Sequence, residues 1–174
     1  AAAAELVQRA FSNRHFRVYS STDLRGVELA GALKNVIAIA AGIGDGLDFG
    51  DNARSALITR GLAEMVRFGT AMGVSAQTFY GLAGIGDLVA TCGSRHSRNR
   101  RVGELLGRGS TLVEIQSSMQ AVAEGVYTAK SICAIASRQN LDMPIANAVH
   151  EVLFEGKSPG QATEELMQRP LKQE

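Results

Sequence analysis

A chain of 174 residues is long enough for one full-sized hydrophobic core, or a core with a small appendage. Its apolar share of 45% and charged share of 20% are ordinary for a soluble globular domain, and a net charge of +1 sets up no overall field to draw in nucleic acid or an anionic membrane. Alanine and glycine abound while tryptophan is absent, which suits close-packed helices that cross through small side chains.

The opening AAAAELVQRAF lacks the basic and long apolar regions of a secretory signal, so none is expected. Glu5 to Phe11 reads as a short helix, and FRVYSS (Phe16 to Ser21) is the best strand candidate, alternating and rich in β-branched and aromatic residues. A single strand cannot make a sheet, so this one needs a partner outside the sequence or in a second copy. From Leu24 the pattern turns helical, with Val27, Ala30, Leu33 and Ile37 at three-and-four spacing before the run becomes apolar all round. Such a helix belongs at the centre of a fold. Its most apolar part, VIAIAAGI, is too short to span a bilayer.

GDGLDFGDN then reads as a loop, with Asn52 capping a helix whose stripe is Leu57, Gly61, Met65, Phe68 and Met72. Ser75 starts a shorter helix. Asn99 to Arg108 forms another, closed by Gly109. Thr111 and Glu114 make a capping box, Gly125 to Arg138 is a long helix, Pro144 opens one that reaches Phe154, and Ser158-Pro159 caps the last. From Leu24 onward the expectation is six to eight helices on short connections. No internal domain boundary is visible there.

The chemistry-bearing stretch is GLAGIGDLVATCGSRHSRNRR, Gly81 to Arg101. Its pentapeptide AGIGD also occurs at Ala41 to Asp45, but neither copy completes the dinucleotide-binding pattern G-x-G-x-x-G or follows a strand. Lys34 lies directly before the most apolar segment. A lysine there usually extends its stem to solvent; a nearby carboxylate would instead keep it charged and oriented, and Asp87 is the candidate. Ser97, Arg98 and Asn99 stand where a helix begins, so free N–H groups and a guanidinium could grip a phosphate together. Arg95, Arg100 and Arg101 are expected on a solvated face. His15, His96 and His150 show no metal spacing, and Cys92 and Cys133 read as reduced thiols of a cytoplasmic protein.

In this order, TDLRGVELAGALKNVIAIAAGIGDG, GLAGIGDLVATC, SRNRRVGELLGRG and AVAEGVYTA resemble the bacterial type of NAD(P)-dependent glycerol-3-phosphate dehydrogenase. The resemblance implies an all-α substrate-binding domain over residues 24–174, of the 6-phosphogluconate dehydrogenase C-terminal type. Residues 1–23 would be the remaining helix and strand of a Rossmann domain otherwise absent from the sequence. It also implies the reaction: hydride transfer between NAD or NADP and the pair dihydroxyacetone phosphate and glycerol 3-phosphate.

On this resemblance Lys34 is the general acid/base, Asp87 holds it and contacts substrate, and Ser97, Arg98 and Asn99 take the phosphate. Asn35 and Thr91 are further substrate contacts, while Arg98, Val122 and Glu124 face the cofactor. A homodimer is expected, and the fragment alone is expected to be inactive. The competing readings are a non-catalytic helical assembly module and nucleic-acid binding through the arginines; scarce aromatics and near-zero net charge argue against the second.

Overall fold

The computed structural model describes residues 2–119 and 123–170, and ten α-helices account for most of them. In chain order these are α1 (Ala2–Phe11), α2 (Leu24–Gly46), α3 (Gly50–Ala71), α4 (Ala76–Phe79), α5 (Asp87–Gly93), α6 (Arg98–Gly107), α7 (Leu112–Ser118), α8 (Glu124–Arg138), α9 (Pro144–Phe154) and α10 (Pro159–Met167). A π-helical turn, Leu82–Gly86, leads directly into α5. Nine of the helices begin at or after Leu24, more than the six to eight expected, because the glycine-rich segment between α4 and Arg98 folds into this turn and α5.

Central position follows from composition: α2 is apolar on every side from Val36 to Ile43 and packs against α3, α5, α6, α8 and α9. Asp23 caps its first turn by accepting from the Gly26 N–H at 3.0 Å, and it also accepts from the Thr78 hydroxyl at 2.5 Å. These bonds hold the Asp23 carboxyl below the usual carboxylate range, the Thr78 hydroxyl contributing most. The helix runs through Gly44, Asp45 and Gly46 instead of ending at Ile43, and α3 begins at Gly50, so Asn52 lies inside the first turn and is not its cap. At 23 residues α2 is long and apolar enough to cross a membrane by length and composition, yet its middle is buried beneath the other helices.

Small residues set the tightest crossing. Gly42 and Gly46 on α2 face Gly103 and Gly107 on α6, each pair one turn apart. A Cβ on Gly42 would lie 1.9 Å from the Arg100 carbonyl oxygen, and one on Gly103 would lie 1.9 Å from that of Ile39. The two backbones therefore touch, and the N-terminus of α6 is fixed against α2. Phe68, Phe79, Met65, Leu88 and Ile39 fill the core around this contact.

The capping reading holds further along. Thr111 with Glu114 and Ser158 with Gln161 form capping boxes, and Pro144 occupies the first turn of α9. Phe16–Ser21, by contrast, is not a strand: among the described residues nothing pairs with its backbone in a ladder. The segment is tied back to α1 instead. Gln8 Nε2 donates to the Val18 carbonyl at 2.9 Å, and the Val18 N–H donates to Ser12 Oγ at 3.1 Å. No residue of α1 is buried.

Candidate active site

Lys34 sits on the face of α2 turned to α5, mostly covered, with its side chain 18% exposed. Such burial would be costly for an unpaired ammonium. It is paired: Nζ donates to Asp87 Oδ2. The π-helical turn brings the carboxylate there. Within that turn Gly84 passes so close to Phe79 that a Cβ would fall 2.0 Å from the Phe79 carbonyl oxygen. Asp87 then opens α5, and one turn on, Thr91 Oγ1 donates to the other carboxylate oxygen at 3.1 Å. Both oxygens of Asp87 are engaged, one by Lys34 and one by Thr91, so the carboxylate that holds the lysine is itself held.

Thr91 also belongs to a second feature. With Ala90, Ser94, His96, Ser97, Arg98 and Asn99 it lines an open hollow of about 380 Å³. Ser97 caps α6 by accepting from the Arg100 N–H at 3.2 Å. Arg98, the first residue of α6, is exposed and makes no ion pair with any described residue. Asn99 is buried, and its Oδ1 accepts from the Gly125 N–H at 2.9 Å. Unpaired cation, helix N-terminus, hydroxyls and a buried amide together make a surface of hydrogen-bond donors, suited to an anion.

The two AGIGD copies do different work. Asp45 ends α2, where it accepts from Arg100 Nε at 2.6 Å and Arg54 Nη1 at 3.1 Å, so it locks α6 and α3 to α2. Arg100 is therefore a largely covered structural residue, not a member of a solvated face. Arg101 pairs with Glu104 at 3.1 Å. Of the arginines in the loop, only Arg95 and Arg98 remain exposed without ion-pair partners among the described residues.

Asn35 is not brought to the hollow: its Nδ2 donates to the Gly31 carbonyl of its own helix at 3.1 Å. Glu124 is exposed at the start of α8, beside Gly125, and Val122 lies outside the described residues. Ser94, His96 and Gly125 join the site unforeseen. Of these, the glycine in AVAEG was the readable signal. Burial pushes the thiols of Cys92 and Cys133 up to about 12 and about 11, so neither is a ready nucleophile. No group of His, Cys, Asp and Glu among the described residues is arranged to hold a metal.

Comparison with known proteins bears on the family and the fold. Residues 23–164 match the family model described as the NAD-dependent glycerol-3-phosphate dehydrogenase C-terminus. The chain belongs to that family. It is 56% identical over 171 residues to glycerol-3-phosphate dehydrogenase [NAD(P)+] 2 of Salinibacter ruber, covering 98% of this chain and 50% of the relative. The Trichlorobacter lovleyi enzyme is 60% identical over 173 residues, covering 99% of this chain and 52% of the relative. A crystal structure of glycerol-3-phosphate dehydrogenase from Coxiella burnetii superposes with a TM-score of 0.91 at 44% identity, over 97% of this chain and 52% of that one. The Saccharomyces cerevisiae enzyme superposes at 0.85 with 27% identity, over 94% of this chain and 48% of that one. The chain thus spans about half the length of the curated relatives it matches, and its all-helical fold is that of their C-terminal domain.

Proposed function

We propose that this chain is the substrate-binding and catalytic half of an enzyme interconverting dihydroxyacetone phosphate and glycerol 3-phosphate. The carrying observation is the connected set Lys34, Asp87 and Thr91, which runs into a donor-lined hollow at the start of α6. Asp87 holds and aims Lys34. The ammonium donates a proton to the ketone oxygen as the carbonyl carbon is reduced, and in the reverse direction the neutral amine accepts the hydroxyl proton. Ser97, Arg98 and Asn99 hold the phosphate, remote from the reacting carbon, so its binding energy serves to orient the carbonyl against the lysine.

NAD or NADP, when bound, supplies or accepts the hydride. Exposed and without an ion-pair partner among the described residues, Arg98 fits the anionic groups of such a cofactor, and Glu124 and Val122 are the further contacts proposed on this side. Residues 1–23 are assigned to the dinucleotide-binding half and 24–174 to the substrate half. The absence of buried residues in α1 supports that division. Exposed Leu6, Val7, Phe11, Phe16 and Tyr19 provide apolar surface for that half. We assign the enzyme to the cytoplasm and to a homodimer.

Replacing Lys34 by alanine tests the reading in the enzyme that carries both halves. General acid catalysis typically contributes about 10² to 10⁴ in rate. A loss of that size in kcat, with unchanged thermal unfolding, is expected. Unaltered rates would instead favour a non-catalytic assembly module. The chain alone is expected not to oxidise NADPH in the presence of the ketone.

A further inference from the structure

We infer that Gly125 is a positioning residue of the phosphate site, acting through Asn99. This rests on the reading of the hollow as that site. The first turn of α8 has orphan N–H groups, and its N-cap, Ala123, has no side chain able to accept them. Asn99, from a different helix, supplies the missing acceptor: its Oδ1 takes the Gly125 N–H at 2.9 Å. Because the atom facing that N–H must be an acceptor, the orientation of the amide is decided. Nδ2 is left on the other side.

Nδ2 has no partner among the described residues, yet no buried side-chain nitrogen or oxygen among them lacks one, so Nδ2 reaches open space. Asn99 is a lining residue of the hollow. The amide therefore offers a donor there and no acceptor, the polarity that suits an anion and repels none of its oxygens. A free asparagine could present either end. The N–H of Gly125 removes that choice.

The glycine is also sterically required. A Cβ at position 125 would lie 2.8 Å from the Asn35 carbonyl oxygen and 2.8 Å from Asn99 Oδ1. Three helices meet at this point: α2 through the Asn35 backbone, α6 through Asn99, and α8 through Gly125. Added bulk would push the amide from its seat, and with it the donor aimed at the phosphate.

The experiment compares kcat/KM for dihydroxyacetone phosphate with that for unphosphorylated dihydroxyacetone in the enzyme that carries both halves. Gly125→Ala is expected to lower this ratio about tenfold or more, chiefly by raising KM for the phosphorylated ketone. The same substitution in an Asn99→Ala background is expected to lower it no further. An unchanged ratio in Gly125→Ala, or an equal loss with both substrates, would overturn the inference. If Gly125→Ala does not fold, the comparison of Asn99→Ala with Asn99→Ala/Gly125→Ala decides, since the first change removes one of the two close contacts; an additional fall in the ratio there overturns it. A parent enzyme that does not discriminate between the two ketones would instead refute the assignment of the hollow.

Discussion

Glu64 gives a prediction whose size follows from its surroundings. It lies on α3 with 3% of its surface exposed, and its two oxygens accept the N–H groups of Ile145 at 2.6 Å and Ala146 at 3.1 Å. The carboxyl thus caps α9 from a neighbouring helix, where Met143 provides no side-chain cap and Pro144 has no N–H. Burial raises its pKa to about 7 from an ordinary 4.5, against the pull of these two donors and of Arg67, with Asp142 adding to the rise. A folded state that binds the proton more tightly than the unfolded state is favoured when the proton is present. The contribution is therefore full below the unfolded pKa, is lost as pH rises from about 4.5 to about 7, and stays lost above that. A gap of that width corresponds to about 3 kcal/mol. Urea unfolding of the wild-type chain and of Glu64→Gln, at intervals from about pH 4 to about pH 8, isolates the effect because other groups cancel in the difference. Wild type should lose about 3 kcal/mol relative to the glutamine variant across that range. A difference independent of pH would refute the reasoning.

Gly103→Ala should destabilise the α2–α6 crossing by about 1–3 kcal/mol or more, because its methyl would meet the Ile39 carbonyl oxygen; Gly31→Ala, with nothing within 4 Å of the added Cβ, is the control, and thermal unfolding reads both. Arg98→Ala and Arg100→Ala separate binding from structure. The first should raise KM for dihydroxyacetone phosphate while leaving the unfolding temperature unchanged; the second should lower that temperature, because Asp45 and the α2–α6 contact lose a largely covered partner. Asp87→Asn should reduce kcat with little change in fold, since the amide keeps the shape but removes the charge that orients Lys34; activity equal to wild type would exclude the aiming role.

Residues close in sequence were the readable ones. Local spacing marked α2 as the central helix, and capping patterns located α7, α9 and α10, because those signals act within one or two turns. Contacts between distant residues were less legible. Lys34 and Asp87 stand 53 residues apart, and their pairing was expected only because glycines allow a close approach and the motifs resemble a known family. Arg100 looked like surface because its partner, Asp45, lies 55 residues upstream in an apparent loop that folds as the end of α2. Phe16–Ser21 carries the alternation of a strand, but alternation describes one edge of a ladder and cannot provide the other. The Gly125 contact with Asn99 escaped for a related reason: a glycine states that space is short without stating what fills it.

Diffraction from crystals of the enzyme that carries both halves, soaked in dihydroxyacetone phosphate, would examine the site most directly. The phosphate is expected between Arg98, Ser97 and Asn99 Nδ2, with the ketone oxygen within hydrogen-bonding reach of Lys34 Nζ. A ligand seated elsewhere, or one whose ketone oxygen points away from the amine, would contradict the assignment of Lys34 as the proton donor.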